Sequence, residues 1–191
     1  MNQLENDSIR PNVFYPPGGI LIWILVIVEV ITFFMGIGSL LIEKKSNLEE
    51  FLKMQSSLNV NIAVWNTFFL ITSGYAMALS VGYLKKNEAV KFTLTLVISI
   101  FFGLVFLGFK GWEYNLKLDS GLDLHSGTFW TYYWFLTGFH YFHVIAGMII
   151  LTLVFLYRKT ISLENLEASA TFWHMCDLIW VVLFPTLYLL H

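Results

Sequence analysis

Cysteine is nearly absent: Cys176 stands alone inside an apolar run. That excludes a disulfide framework and any zinc site built from cysteines of this chain. Charge is scarce as well. Asp, Glu, Lys and Arg make up 13% of the 191 residues, roughly half the share of soluble domains, and the net charge of −2 offers nucleic acid no basic surface. No Glu-x-x-His pair occurs, and of the five histidines one is the terminal His191. Di-iron bundles pair carboxylates with Glu-x-x-His motifs on two helices, and membrane hydroxylases need more imidazoles than this chain carries. A secretory signal is missing too: MNQLENDSIRPNVFYPP at 1–17 is polar and proline-bearing, without a basic start ahead of a short apolar stretch. The first hydrophobic run is therefore expected to be retained.

What is present is hydrophobic length. Residues of apolar type make up 57% of the chain, the mean hydropathy is +0.69, and 18 Phe, nine Tyr and seven Trp suit a lipid solvent with anchored interfaces. A helix needs roughly 20 apolar residues to cross the hydrocarbon core. Five runs of that length occur, at about 18–42, 60–84, 92–114, 129–157 and 168–190. They are too long for membrane strands, and a helix satisfies its own backbone where lipid cannot. The fold class expected is all-α, an integral membrane bundle of five transmembrane helices. The connections are short, so residues 18–191 read as a single membrane domain behind the polar segment 1–17. The linker EKKSNLEEFLKMQSSLN at 43–59 mixes charge with Leu48, Phe51, Leu52 and Met54, as an amphipathic helix at the interface would. Arg10, Lys85, Lys86, Lys91, Arg158 and Lys159 flank one side of the spans, against Lys44, Lys45, Lys53 and Lys117 on the other. That asymmetry predicts a cytoplasmic amino terminus.

Ionisable residues inside a bilayer cost about 2.5–3.5 kcal/mol each on insertion scales, so those that persist face protein and have partners. Glu29 lies at the middle of the first span, His143 and Asp177 near the middle of the fourth and fifth. His140 and His143 are three apart on one helix, with Gly147 continuing their face. Trp173, Asp177, Trp180 and Phe184 form a stripe on the next, with His174 three before Asp177. Gly103, Phe106, Lys110 and Glu113 form a third stripe, in which Lys110 is expected to snorkel towards the interface. A metal site built from His140, His143, His174, Glu29, Asp177 and Glu113 is the sharper reading, since imidazole and carboxylate suit iron, copper or zinc. The pattern argues against a metal site and for a satisfied polar network, in which Glu29 pairs with His143 because both lie at similar depth. Gly36, Gly38, Gly74 and Gly82 read as packing positions, Met77, Met148 and Met175 as gap-fillers, and Pro185 as a tolerated kink.

Two segments also carry a resemblance. TGFHYFHVIAG at 137–147 and FWHMCDLIWVVLF at 172–184, in that order, resemble the signature helices of subunit III of haem-copper terminal oxidases. Glu29 within VEV, NTFFLITSG at 66–74 and the pair Glu113–Tyr114 agree with it, and the likeness runs over about residues 18–190, without the two additional amino-terminal helices of longer members. The resemblance implies a non-catalytic core subunit of a respiratory complex, cytochrome c or quinol oxidase, that reduces oxygen and pumps protons. It implies haem and copper in the partner subunits, a catalytic subunit I as neighbour, structural phospholipid, and a bacterial inner membrane. Glu29, Glu113, His140, His143, Trp173, His174 and Asp177 match polar positions of that family, which would bind lipid or form its polar network. The same five-helix form includes accessory proteins of nitric oxide reductases, so that alternative stays open at this point. So does a membrane metal-dependent oxygenase using His140, His143 and His174. A transporter, prompted by Glu29 and Asp177, lacks the inverted repeats and broken helices expected of one.

Overall fold

A computed structural model describes residues 16–190; most of the polar amino-terminal segment, Arg10 and His191 lie outside that range. Six α-helices follow in order: α1 Ile20–Ser46, α2 Leu48–Gln55, α3 Val60–Lys85, α4 Ala89–Asp119, α5 Thr128–Leu156 and α6 Leu163–Phe184. A π-helical turn, Pro185–Leu189, continues α6. Five of these elements are long and apolar enough to cross a membrane, α2 being the exception, and no strand occurs among the described residues. The protein is an all-α, multi-pass membrane bundle.

Side-chain caps mark the starts of α3 and α6. α6 begins at Leu163, five residues before the apolar stretch, because Ser162 Oγ accepts from the Asn165 amide at 3.2 Å. Asn59 caps α3 in the same way, accepting from the amides of Asn61 and Ile62 at 3.1 and 3.3 Å. α4 runs on to Asp119, past the expected end at residue 114. Pro185 has no amide hydrogen to continue the α-helical ladder, and the backbone widens into the π turn at that residue.

α6 forms the centre of the bundle, with α1, α3 and α5 packed around it. Its Trp173 and Trp180 are fully buried. Trp173 fits between α4 and α5 because both present glycine: a Cβ on Gly147 would lie 2.6 Å from the indole, and one on Gly103 would lie 3.0 Å from it. α1 is the edge element, with only Phe33, Ile37 and Leu40 buried. The expected interfacial helix is α2, which buries Phe51 against Phe129 and leaves Glu49, Glu50 and Lys53 exposed.

The buried side chain of Gln55 ties α2 to the far end of the fold. Its Nε2 donates to the Leu187 carbonyl at 2.9 Å, and its Oε1 accepts from Lys44 Nζ at 3.0 Å; Lys44 also donates to the Leu190 carbonyl. Replacing Gln55 by leucine strands the Leu187 carbonyl and removes one of the two acceptors of Lys44, a penalty of about 1–3 kcal/mol. The expected outcome is faster proteolysis near the π turn of the detergent-solubilised protein, measured against an unchanged rate in the α3–α4 turn.

Candidate functional site: intramembrane acid and imidazole pairs

Helical periodicity distributes the ionisable residues over three separate clusters. In the first, α1 presents Glu29 to α5, where Glu29 Oε2 lies 3.2 Å from His143 Nε2. His143 Nδ1 lies 2.8 Å from the Phe139 carbonyl, which can only accept, so Nδ1 carries a hydrogen. Nε2 is therefore the ring nitrogen that faces the Glu29 carboxyl group. Phe33 and Phe139 enclose the ring, with centroids at 5.7 and 4.6 Å.

The second cluster lies on α6, where His174 Nδ1 is 3.2 Å from Asp177 Oδ2. Gly74 of α3 makes room for that carboxylate, since a Cβ there would overlap Oδ2.

Glu113 is the hub of the third and largest cluster. Its carboxylate accepts from Lys110 Nζ at 2.9 Å, Tyr188 OH at 2.8 Å and Tyr133 OH at 3.1 Å, and Lys117 Nζ stands 3.5 Å away. Lys110 also donates to both tyrosine hydroxyls, at 3.1 and 2.9 Å. The rings of Tyr114, Tyr133, Trp180 and Tyr188 surround its ammonium at 5.0–5.4 Å. The expectation that Lys110 snorkels is thereby corrected: it is 1% exposed, because an acid one turn along and two phenols solvate it in place. Lys117, counted above among surface charges, is 6% exposed and belongs to the same cluster. Sequence reasoning missed Lys117, Tyr133 and Tyr188. The spacing of Lys110, Glu113 and Lys117, three and then four apart, was the signal available for the first; the tyrosines carry none.

His140 parts company with His143. It is fully buried, stacked on Trp180 at 5.2 Å and edge-on to Phe106 at 5.9 Å, and neither ring nitrogen has a hydrogen-bond partner among the described residues. Trp173 belongs to a packing layer, its Nε1 donating to Ser73 Oγ at 3.2 Å. Of the expected site residues, the structure therefore joins Glu29 to His143 and His174 to Asp177, and keeps Glu113, His140 and Trp173 apart from both pairs. Among the described residues, no three His, Cys, Asp or Glu side chains come together as a metal site would require.

The model of the family described as cytochrome c oxidase subunit III matches residues 21–191. The chain belongs to that family. Among its relatives within the subunit III family, the "Probable quinol oxidase subunit 3" of Staphylococcus saprophyticus is 27% identical over 129 residues, 65% of this chain and 64% of the relative. The "Probable cytochrome c oxidase subunit 3" of Nocardia farcinica is 27% identical over 138 residues, 70% of this chain and 68% of the relative. The chain thus aligns with a little under two thirds of the staphylococcal subunit III's own length. On the scaffold, the subunit III signature TGFHYFHVIAG falls on α5 and FWHMCDLIWVVLF on α6.

Proposed function

We propose that this subunit III family member is a non-catalytic subunit of a respiratory haem-copper oxidase, in which oxygen reduction is coupled to proton pumping. The single observation that carries this reading is the family match across residues 21–191. The intramembrane acids support it, because each is held by an imidazole, ammonium or phenol of the same chain. Haem and copper belong to partner subunits, the catalytic subunit I first among them, and this chain supplies packing, phospholipid contact and support for proton uptake. Residues 18–191 act as one membrane domain. Glu29, Glu113, His140, His143, Trp173, His174 and Asp177 form its polar and lipid-contacting network and take no catalytic part. The membrane is the bacterial inner membrane, with the amino terminus cytoplasmic. Burial of Lys117 supports that orientation, since it removes one surface cation from the opposite end of the bundle.

The test is to tag the chain, purify its complex from native membranes, and identify subunits and cofactors. A copper-containing haem oxidase is expected; a haem and non-haem-iron reductase as the partner, or stoichiometric haem or copper on the isolated chain, would sink the reading. Within that complex, Glu29→Ala leaves His143 Nε2 without its partner, a loss of about 1–3 kcal/mol. The expected result is weaker subunit retention or slower proton delivery, with the haem spectrum unchanged.

A further inference from the structure

The Glu113 cluster does not balance its own charge. Lys110 Nζ lies 2.9 Å and Lys117 Nζ 3.5 Å from the same carboxylate, one on each oxygen, and among the described residues no second acid is within ion-pair distance of either ammonium. Two cations share one anion. Tyr133 and Tyr188 donate to that carboxylate and accept from Lys110, which solvates the charges without cancelling the excess. The rings of Trp130 and Tyr133, with centroids 5.4 and 5.2 Å from Lys117 Nζ, attract a cation and leave it a cation.

Lys117 is the weakly held partner and the point of access. Glu113 Oε1 already accepts from Tyr188 at 2.8 Å and from Tyr133 at 3.1 Å, so Lys117 comes third to that oxygen, at a distance beyond the usual hydrogen-bond range. Its ammonium keeps donors free. It stands two residues from the end of α4, about 3 Å of rise, which brings it to the level of the interface. The side chain is 7% exposed against 1% for Lys110, and its nitrogen is not among the sealed polar atoms without a partner, as Asp177 Oδ1 and both His140 nitrogens are. An edge of the ammonium thus reaches the aqueous boundary. The last carbonyls of α4 offset part of the excess, but a helix end carries only about half a charge.

We propose that Lys117 binds a small monovalent anion of the halide type from the aqueous boundary and that this ion completes the charge of the cluster. The anion accepts the ammonium hydrogens that Glu113 leaves free. Lys110 with Glu113 is then one balanced pair and Lys117 with the anion the other, which meets the requirement that a charge taken out of water be paired. The inference concerns residues of this chain alone and does not depend on which complex it joins.

The experiment heats the tagged native complex in halide-free gluconate buffer at fixed ionic strength and pH, and reads by its tag the fraction of this chain left soluble as bromide replaces gluconate. The midpoint is expected to rise and saturate, by about 3–6 °C at ten times the apparent Kd. Lys117→Arg, which keeps a cation, retains the response; Lys117→Met, which removes the excess one and keeps an apolar stem, loses it. No response in the wild type, or an equal response in Lys117→Met, overturns the proposal. A midpoint that moves with pH but not with bromide overturns it as well, since a lysine has then shed its proton instead. A bromide-soaked crystal of the complex supplies the second measurement, with an anomalous peak in contact with Lys117 Nζ as the expected result. A peak there without a response in solution marks an adventitious ion only, and lipid phosphate density at Lys117 marks a different ligand; either overturns the proposal. Both wild-type measurements decide the matter if a variant fails to assemble.

Discussion

Glu113→Ala is expected to destabilise the bundle by about 3–5 kcal/mol, because it leaves Lys110 and Lys117 buried without their shared counter-charge. Lys110 is 1% exposed and Lys117 6%, so neither ammonium is solvated where it stands. Tyr133 and Tyr188 lose their common acceptor in the same step, and their hydroxyls cannot neutralise two cations. Thermal aggregation of the detergent-solubilised complex would register the loss as a lowered midpoint. Breaking a buried pair is worse than removing it. The triple variant Lys110→Met/Glu113→Gln/Lys117→Met, which leaves no buried cation behind, should therefore recover much of the stability lost in Glu113→Ala, and a triple variant no better than the single one would show that the cluster is not held by charge.

Trp173→Ala is expected to lower stability by about 3 kcal/mol, the low end of the range for buried tryptophan. In a bilayer the unfolded reference keeps apolar groups in lipid, so the loss is of packing and not of transfer. The vacated space lies between Gly103 and Gly147, whose missing Cβ atoms define the indole slot. Adding Gly147→Leu to Trp173→Ala should restore part of the loss, although a larger residue at 147 alone overpacks the slot by about 1–3 kcal/mol. Urea or SDS titration of the three variants checks the sign of each change.

The five spans were legible because lipid imposes a length on any helix that crosses it. So was the meeting of Glu29 and His143, since two costly groups at one depth on different helices have few other ways to be satisfied. His140 and His143 were harder. Three residues apart on a helix is about 60° around its axis, enough for one ring to reach α1 and the other to lie against Trp180. The Glu113 cluster was the least visible. Lysine within reach of a helix end reads as a snorkelling side chain, tyrosine as an interfacial anchor, and nothing in the local pattern around Tyr133 or Tyr188 announces Glu113, 20 and 75 residues away. A cap explains the early start of α6: Ser162 begins it by hydrogen bonding, a signal that hydropathy does not carry.

The clasp of Gln55 and Lys44 on the carbonyls of Leu187 and Leu190 has a consequence for biogenesis. Helices α1 and α2 leave the ribosome before α6, yet the acceptors that latch them arrive only with the π turn that continues it. During synthesis the interfacial segment therefore waits unlatched at the bilayer surface, and delivery of the last span completes a closure begun by the first.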